Sequence, residues 1–157
     1  HIDFRMHSAQ KENNKAVKSG EVLLVNDPYP NSEGAIRMGL VPVGGAMNAT
    51  DILKNPEKLD LLFVIMDDKF IENPDLMEAL TNAFGKTKNV ILFSPYSSEV
   101  DSKAAVVLPI ASNLEQEGTF INVDGIAQKF KPVITKTKVK SFAEIIDLLN
   151  KTRAAFT

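Results

Sequence analysis

Residues 104–130 read AAVVLPIASNLEQEGTFINVDGIAQKF, and this stretch decides the fold that the sequence predicts. It begins with the apolar run 106–110, which is typical of a buried strand in a parallel sheet. It ends near Asp124-Gly125, a pair that predicts a two-residue hairpin turn because glycine tolerates positive φ. Small and polar residues lie between these two signals, just past a strand's carboxyl end, where open α/β sheets bind ligands. They are Glu115, Glu117, Gly118, Thr119 and Asn122.

Three further apolar runs precede this stretch, at residues 21–26, 59–66 and 89–93. They alternate with segments that carry helix-capping residues, which is typical of a parallel sheet with helices on both faces. The run 59–66 is apolar on both faces, so we expect it to lie in the centre of the sheet. The predicted fold is α/β and Rossmann-like, with a mainly parallel sheet of about four strands and a C-terminal hairpin.

Helix boundaries follow from capping signals. Asn31 or Ser32 is expected to cap a short helix that Gly39 ends, and Asn48 to cap the next one. Capping pairs are also predicted at Ser98 with Asp101 and at Ser141 with Glu144. The last helix carries an apolar stripe that we expect to belong to the core. The stripe consists of Phe142, Ile145, Ile146 and Leu149.

The length and composition indicate one ordinary globular domain. The chain has 157 residues, of which 44% are hydrophobic and 24% are charged, so it is long enough to bury a full core. Residues 1–20 are polar and aperiodic and are predicted to be an arm or linker, with the α/β domain over residues 21–157. Because the chain begins with His1 rather than methionine, we expect a piece of a longer protein.

Metal and catalytic chemistry are not expected in this chain. It contains no cysteine, which excludes iron–sulfur clusters and Cys-ligated zinc within these residues. Its two histidines, His1 and His7, stand at the terminus, and no Ser/His/Asp or Cys/His set can be assembled. Asp67-Asp68 would offer magnesium too few ligands, so a solvated turn is expected there. Glu115 and Glu117 are the best acid–base candidates, although local hydrogen bonding to the hairpin is the simpler interpretation.

The charge pattern excludes two classes of partner. A net charge of -2 gives no general attraction to nucleic acid or to an anionic membrane. The five lysines within residues 129–140 lack interleaved aromatic residues, so they are expected on a solvated edge. The longest apolar run, residues 61–66, is too short to span a bilayer, so no direct membrane insertion is expected.

The same stretch resembles a known family. Molybdopterin oxidoreductases, and the large G subunit of respiratory NADH:quinone oxidoreductase (complex I), carry Val-Val-Leu-Pro, a spacer and Glu-x-x-Gly-Thr-Phe-x-Asn-x-Glu-Gly-Arg-x-Gln. The counterparts here are residues 106–109 (VVLP), 118–120 (GTF), Asn122 and 124–128 (DGIAQ). An Asn-x-x-Gly-Ala element at residues 31–35 is also shared. Ile126 stands where the family usually has arginine, and Asp124 where it has glutamate.

This resemblance implies two functional hypotheses. In the first, the chain is a non-catalytic structural domain of the complex I G subunit, supporting NADH-to-quinone electron transfer by other segments. The second is a cofactor-binding domain of a true molybdopterin enzyme such as formate dehydrogenase, in which Gly118, Thr119 and Asn122 would line the cofactor. The missing arginine favours the first hypothesis, because a lost cation weakens the binding of a diphosphate. An unrelated nucleotide-binding domain is disfavoured because two prolines follow the first predicted strand, at Pro28 and Pro30.

The first hypothesis carries further expectations. No cofactor is expected in this chain, and the iron–sulfur clusters are expected elsewhere in the parent protein. The expected partners are other peripheral-arm subunits of complex I and the upstream part of the same subunit. The expected location is cytoplasmic, in the peripheral arm of an inner-membrane complex.

Overall fold

The computed structural model of the chain describes residues 31–67, 74–122, 124–135 and 138–155. These residues form two compact units. One unit contains the described parts of His1–Asp51 together with Gly118–Phe130, and the other contains those of Ile52–Glu117 and Lys131–Thr157. The predicted arm over residues 1–20 and the predicted first strand over residues 21–26 lie outside the described residues.

The larger unit is built on a three-stranded parallel sheet. Its strands are β1 (Leu62–Ile65), β2 (Val90–Ser94) and β3 (Val106–Pro109), in the order β1-β2-β3. Phe63 pairs with Ile91, and Leu92 pairs with Val107. The parallel sheet that the apolar runs predicted is therefore confirmed. Within the described residues β1 lies at an edge of this sheet, so its central position stays a prediction.

The core of this unit lies around β2 and the helix that precedes it. Leu92 is completely buried, as is Leu80 of the helix α3 (Pro74–Phe84). The predicted apolar face of α3 is buried as a whole, and it consists of Leu76, Leu80, Ala83 and Phe84. Burying each of these leucine and phenylalanine side chains contributes about 1.5–3 kcal/mol. The helix also contacts two short 3-10 helices, Pro56–Lys58 and Glu99–Lys103.

The predicted capping signals appear where three helical segments begin. The Asn48 carboxamide oxygen accepts from the Asp51 N–H, 2.9 Å away, at the start of α2 (Ala49–Lys54). Ser98 and Asp101 form a reciprocal capping box before residues 99–103. Ser141 and Glu144 do the same before α4 (Phe142–Ala155). These bonds satisfy N–H groups that the first helical turn leaves without partners.

The apolar stripe of α4 is not the core element that its spacing predicted. No residue of this helix is buried, and Leu149 is 49% exposed. Phe142 makes the one aromatic contact found for this helix in the described structure, an edge-on packing against Phe93 with ring centroids 5.0 Å apart. Periodicity identifies an apolar face, but it does not specify that this chain buries it.

The smaller unit contains α1 (Ser32–Arg37) and a hairpin of two antiparallel strands, β4 (Gly118–Ile121) and β5 (Ala127–Phe130). The hairpin is a separate sheet from β1-β2-β3, as the sequence predicted. Gly39 follows α1 with a φ of 73°. Its N–H donates to Ile36 O and that of Leu40 donates to Ala35 O, at 2.9 Å each. This is the Schellman termination that a glycine in this place predicts.

Acidification should weaken the start of α4 through Glu144. The Ser141 N–H and hydroxyl both donate to this carboxylate, at 2.7 and 2.9 Å, and hold the pKa of Glu144 below its ordinary value. A carboxyl with a depressed folded pKa stabilises the fold above its unfolded pKa, and the effect disappears as pH falls through the folded pKa. We expect Glu144→Ala to be destabilising at neutral pH and neutral well below about pH 4.

Urea denaturation followed by circular dichroism across this pH range measures the effect. Asp147→Ala is the matched control, because Asp147 is an exposed acid of the same helix outside its first turn. A Glu144→Ala penalty that persisted unchanged in acid would contradict the assignment of the pKa shift to the capping box.

Candidate functional site

The hairpin β4–β5 carries the residues that the sequence singled out as candidates for cofactor binding. Gly118 pairs with Phe130 and Thr119 pairs with Lys129. The rings of Phe120 and Phe130 stack at a centroid distance of 4.8 Å. A Cβ added to Gly118 would lie 2.5 Å from Cζ of Phe130. The absence of a side chain at Gly118 therefore leaves room for the Phe130 ring. Thr119 is exposed.

Asn122 organises the loop that closes the hairpin. Its carboxamide oxygen accepts from two backbone N–H groups, those of Asp124 at 3.1 Å and Ile126 at 2.8 Å. The Asn122 N–H in turn donates to Ile126 O at 3.1 Å. These bonds make Asn122 a loop-closing residue whose oxygen serves the backbone of its own hairpin.

The loop is one residue longer than the sequence predicted. Because Asn122 and Ile126 close the hairpin, three residues stand between them instead of the predicted pair Asp124-Gly125. The N–H of Gly125 donates to Asn122 O at 2.9 Å, and Gly125 has a φ of 77°. A turn followed by a glycine in the left-handed region is typical of three-residue hairpin loops. The positive φ expected for Gly125 is confirmed, and the two-residue turn is wrong.

Arg37 of α1 lies against this loop. A Cβ on Gly125 would fall 2.7 Å from Nη2 of Arg37. The Arg37 Nε donates to Glu33 Oε1 at 2.8 Å, an ion pair one helical turn apart. Both side chains are about half exposed, so the pair itself adds little stability. No local pattern predicts this proximity, because 88 positions separate Arg37 from Gly125.

Asn31 joins α1 to the hairpin. Its carboxamide oxygen accepts from the Ile121 N–H at 2.8 Å, and its φ is 66°. Of the two residues expected to cap α1, Asn31 is the N-cap, but its side chain forms no capping bond. A Cβ on Gly34 would overlap the Asn31 carboxamide. The Asn-x-x-Gly spacing thus holds one amide in place to pair one backbone N–H of β4.

A second group of polar residues lies in the larger unit, just past the carboxyl ends of its parallel strands. The buried Ser94 hydroxyl donates to Tyr96 O at 2.6 Å. Glu115 accepts from the N–H and the hydroxyl of Ser112, at 3.0 and 2.9 Å. Glu115 therefore hydrogen-bonds locally to Ser112, whereas the expected bond to the hairpin stays a prediction. Asp67 follows β1 and is half-buried, whereas Asp68 lies outside the described residues.

The described residues contain neither a cluster of metal-ligating side chains nor a membrane-spanning helix. Residues 31–67, 74–122, 124–135 and 138–155 contain no group of three or more His, Cys, Asp or Glu side chains that could hold a metal ion. Among the helices of those same segments, none is long and apolar enough to cross a membrane.

The contact between Asn31 and Gly34 predicts that Gly34→Ala has opposite effects on stability with and without the Asn31 side chain. Gly34→Ala should push the carboxamide away from the Ile121 N–H and destabilise the protein by about 1–3 kcal/mol. In an Asn31→Gly background, which keeps the positive φ but has no carboxamide to displace, Gly34→Ala should be neutral or stabilising. Alanine then contributes only its better helix propensity, about 1 kcal/mol.

Chemical denaturation of the wild type, both single variants and the double variant measures this coupling. Equal destabilisation by Gly34→Ala in the two backgrounds would show that the overlap with Asn31 is not the reason for glycine at this position.

The family comparison covers both groups of residues. The family model described as molybdopterin oxidoreductase matches residues 6–149. No curated protein sequence matches the chain. The matched range includes the parallel sheet, α1 and the whole hairpin with Gly118, Thr119 and Asn122. The chain therefore belongs to the molybdopterin oxidoreductase family.

Proposed function

We propose that this chain is a non-catalytic structural domain of the large G subunit of NADH:quinone oxidoreductase (complex I). In this role it supports the electron transfer from NADH to quinone that other segments carry out. The observation that carries the proposal is the use of the hairpin's small and polar groups. Gly118 makes room for Phe130, and the Asn122 oxygen accepts two backbone N–H groups of its own loop.

The same observation tests whether these residues fit the cofactor that the family name implies. A dinucleotide would need the space over Gly118 and polar groups directed toward it. The space is filled by the Phe130 ring, and the Asn122 oxygen is already engaged. The third candidate, Thr119 of β4, is exposed. Gly118 and Asn122 therefore fit a structural role in the hairpin better than contacts to a molybdopterin guanine dinucleotide.

Exposed apolar surface also supports a role within a larger assembly. In the larger unit Phe63 is 55% exposed and Ile65 is 49% exposed, and Leu149 of α4 is exposed to the same degree. Phe63 and Ile65 lie on one face of β1, and apolar surface exposed in this way marks a site where proteins interact. Under the proposal, it is covered by other peripheral-arm subunits or by the upstream part of the same subunit. The iron–sulfur clusters then lie elsewhere in that subunit, in a peripheral arm on the cytoplasmic side of the inner membrane.

One observation favours the alternative, a cofactor-binding domain of a true molybdopterin oxidoreductase such as formate dehydrogenase. Position 126, where the resembling motif has arginine, is Ile126 here and is 56% exposed. Arg37 lies against the neighbouring Gly125. Its guanidinium would offer a diphosphate a cation at nearly the same place. Its bond to Glu33 reduces this attraction, because a carboxylate beside the cation repels a second anion.

A thermal melt with and without GDP, which stands in for the nucleotide end of the cofactor, separates the two hypotheses. We expect GDP to leave the melting temperature unchanged. Asn122→Ala should lower it, because two exposed N–H groups lose their acceptor at a net cost of about 0.5–1.5 kcal/mol each, and each kcal/mol lowers the melting temperature by roughly 2–8 °C. A rise with GDP that disappears in Arg37→Ala but persists in Arg153→Ala would favour the alternative. Arg153 is an exposed arginine of α4 and serves as the matched control.

The complex I assignment has a direct test in the host cell. The protein that contains this chain, carrying an affinity tag, is purified from gently solubilised membranes. We expect NADH oxidation with an artificial electron acceptor to copurify with the tag, because the other peripheral-arm subunits carry that chemistry. Copurification of stoichiometric molybdenum with formate oxidation, and without NADH oxidation, would contradict the proposal.

A further inference from the structure

The hairpin loop contains a second chemical feature that is independent of the proposed function. Asp124 is exposed, and the residue after it, Gly125, has no side chain. In an Asp-Gly sequence the backbone nitrogen of glycine can reach the aspartate carboxyl carbon without steric hindrance. This is the arrangement in which aspartate rearranges most readily.

We propose that Asp124-Gly125 is a site of spontaneous isoaspartate formation, and that the hydrogen bonds of Asn122 slow this reaction in the folded protein. The Gly125 nitrogen attacks Cγ of Asp124. The new N–Cγ bond closes a five-membered succinimide, and the amide proton and one hydroxyl leave as water. Water then adds to the ring carbonyl that belonged to the main chain, and the original C–N bond breaks. The chain now runs through Cγ, with no net gain or loss of atoms.

The restraint comes from three bonds to Asn122. The Gly125 N–H, whose nitrogen is the nucleophile, donates to Asn122 O at 2.9 Å. The Asn122 carboxamide oxygen accepts from the N–H groups on either side, those of Asp124 and Ile126. The attack requires the Gly125 nitrogen to give up its proton and the loop to turn toward the Asp124 carboxyl. Both changes break this set of bonds, so the reaction proceeds from an opened loop.

The product would alter the hairpin. An isoaspartyl linkage adds one methylene to the main chain between Asn122 and Ile126, the two residues that close the loop. The register of β4 and β5 ends at Ile121 and Ala127, directly beside this closing pair, so the longer loop cannot keep all three bonds. Isomerisation at Asp124 is therefore a modification that opens the hairpin end.

The experiment is incubation of the purified protein at physiological temperature in mildly acidic and neutral buffer. Isoaspartate is measured by methylation with an isoaspartyl methyltransferase and located by electron-transfer mass spectrometry. We expect slow accumulation at Asp124 in the wild type, and accumulation about tenfold faster in Asn122→Ala, as for the loss of about one hydrogen bond's stabilisation. Asp124→Glu should show none at this position, because glutamate would have to close a six-membered ring.

Two controls keep the proposal open to refutation. Gly118→Ala disturbs the same hairpin through Phe130 but leaves the Asn122 bonds in place, so it should not reproduce the acceleration. Equal acceleration by both variants would mean that general loosening of the hairpin, and not Asn122, controls the rate. A peptide spanning residues 120–128 gives the unrestrained rate. A wild-type rate equal to that of the peptide would show that the folded loop does not slow the reaction. The absence of isoaspartate at Asp124 in Asn122→Ala would show that Asp124 is not a site of isomerisation.

Discussion

The burial of β2 between two parallel neighbours is the constraint on which the larger unit depends. The strand is almost fully apolar and pairs on both edges, with β1 through residues 90–93 and with β3 through residues 91–94. A buried strand must have partners for its backbone N–H and C=O groups, since each unpaired group would cost free energy comparable to a lost hydrogen bond. The neighbouring ladders supply those partners, while α3 supplies apolar side chains to the same core.

The smaller unit solves the same problem with side chains. A two-stranded hairpin is marginally stable by itself in water, and here two asparagine oxygens extend its bonding. Asn122 pairs two N–H groups of the loop, and Asn31 pairs the Ile121 N–H from α1. Each asparagine depends on a glycine nearby, Gly125 for the loop's left-handed φ and Gly34 for the room that the Asn31 carboxamide needs. In this unit, asparagine side chains of the family motif therefore accept hydrogen bonds from backbone N–H groups.

This assignment affects how the family relationship is interpreted. Membership in the molybdopterin oxidoreductase family rests on a match over residues 6–149, but a fold or family does not by itself specify a function. Function depends on what individual side chains contact. Gly118 and Asn122 each have a structural role within the hairpin. Arg37 lies beside Gly125, where its guanidinium would offer a cation to a cofactor under the alternative hypothesis. The structural and the cofactor-binding hypotheses thus differ in the role that they give to these few residues.

The sequence by itself determined the elements that depend on near neighbours in the chain. Apolar runs predicted β1, β2 and β3, and the spacing of Ser98 and Asp101 and of Ser141 and Glu144 predicted capping bonds, because these interactions span four residues or fewer. The positive φ of Gly125 followed for the same reason. The length of the hairpin loop did not, since a two-residue and a three-residue loop share the Asp-Gly signal.

Contacts between distant segments were decided only by the tertiary structure. Asn31 has the sequence of a helix cap, yet its oxygen bonds Ile121, 90 positions away. Leu149 has the spacing of a core residue, yet it stays half exposed, because burial depends on which surfaces meet and periodicity specifies only one of them. The proximity of Arg37 to Gly125 likewise exists only once α1 contacts β4. Local hydrogen bonding is encoded in adjacent residues, whereas the partner of an apolar face or a long side chain depends on how the whole chain packs.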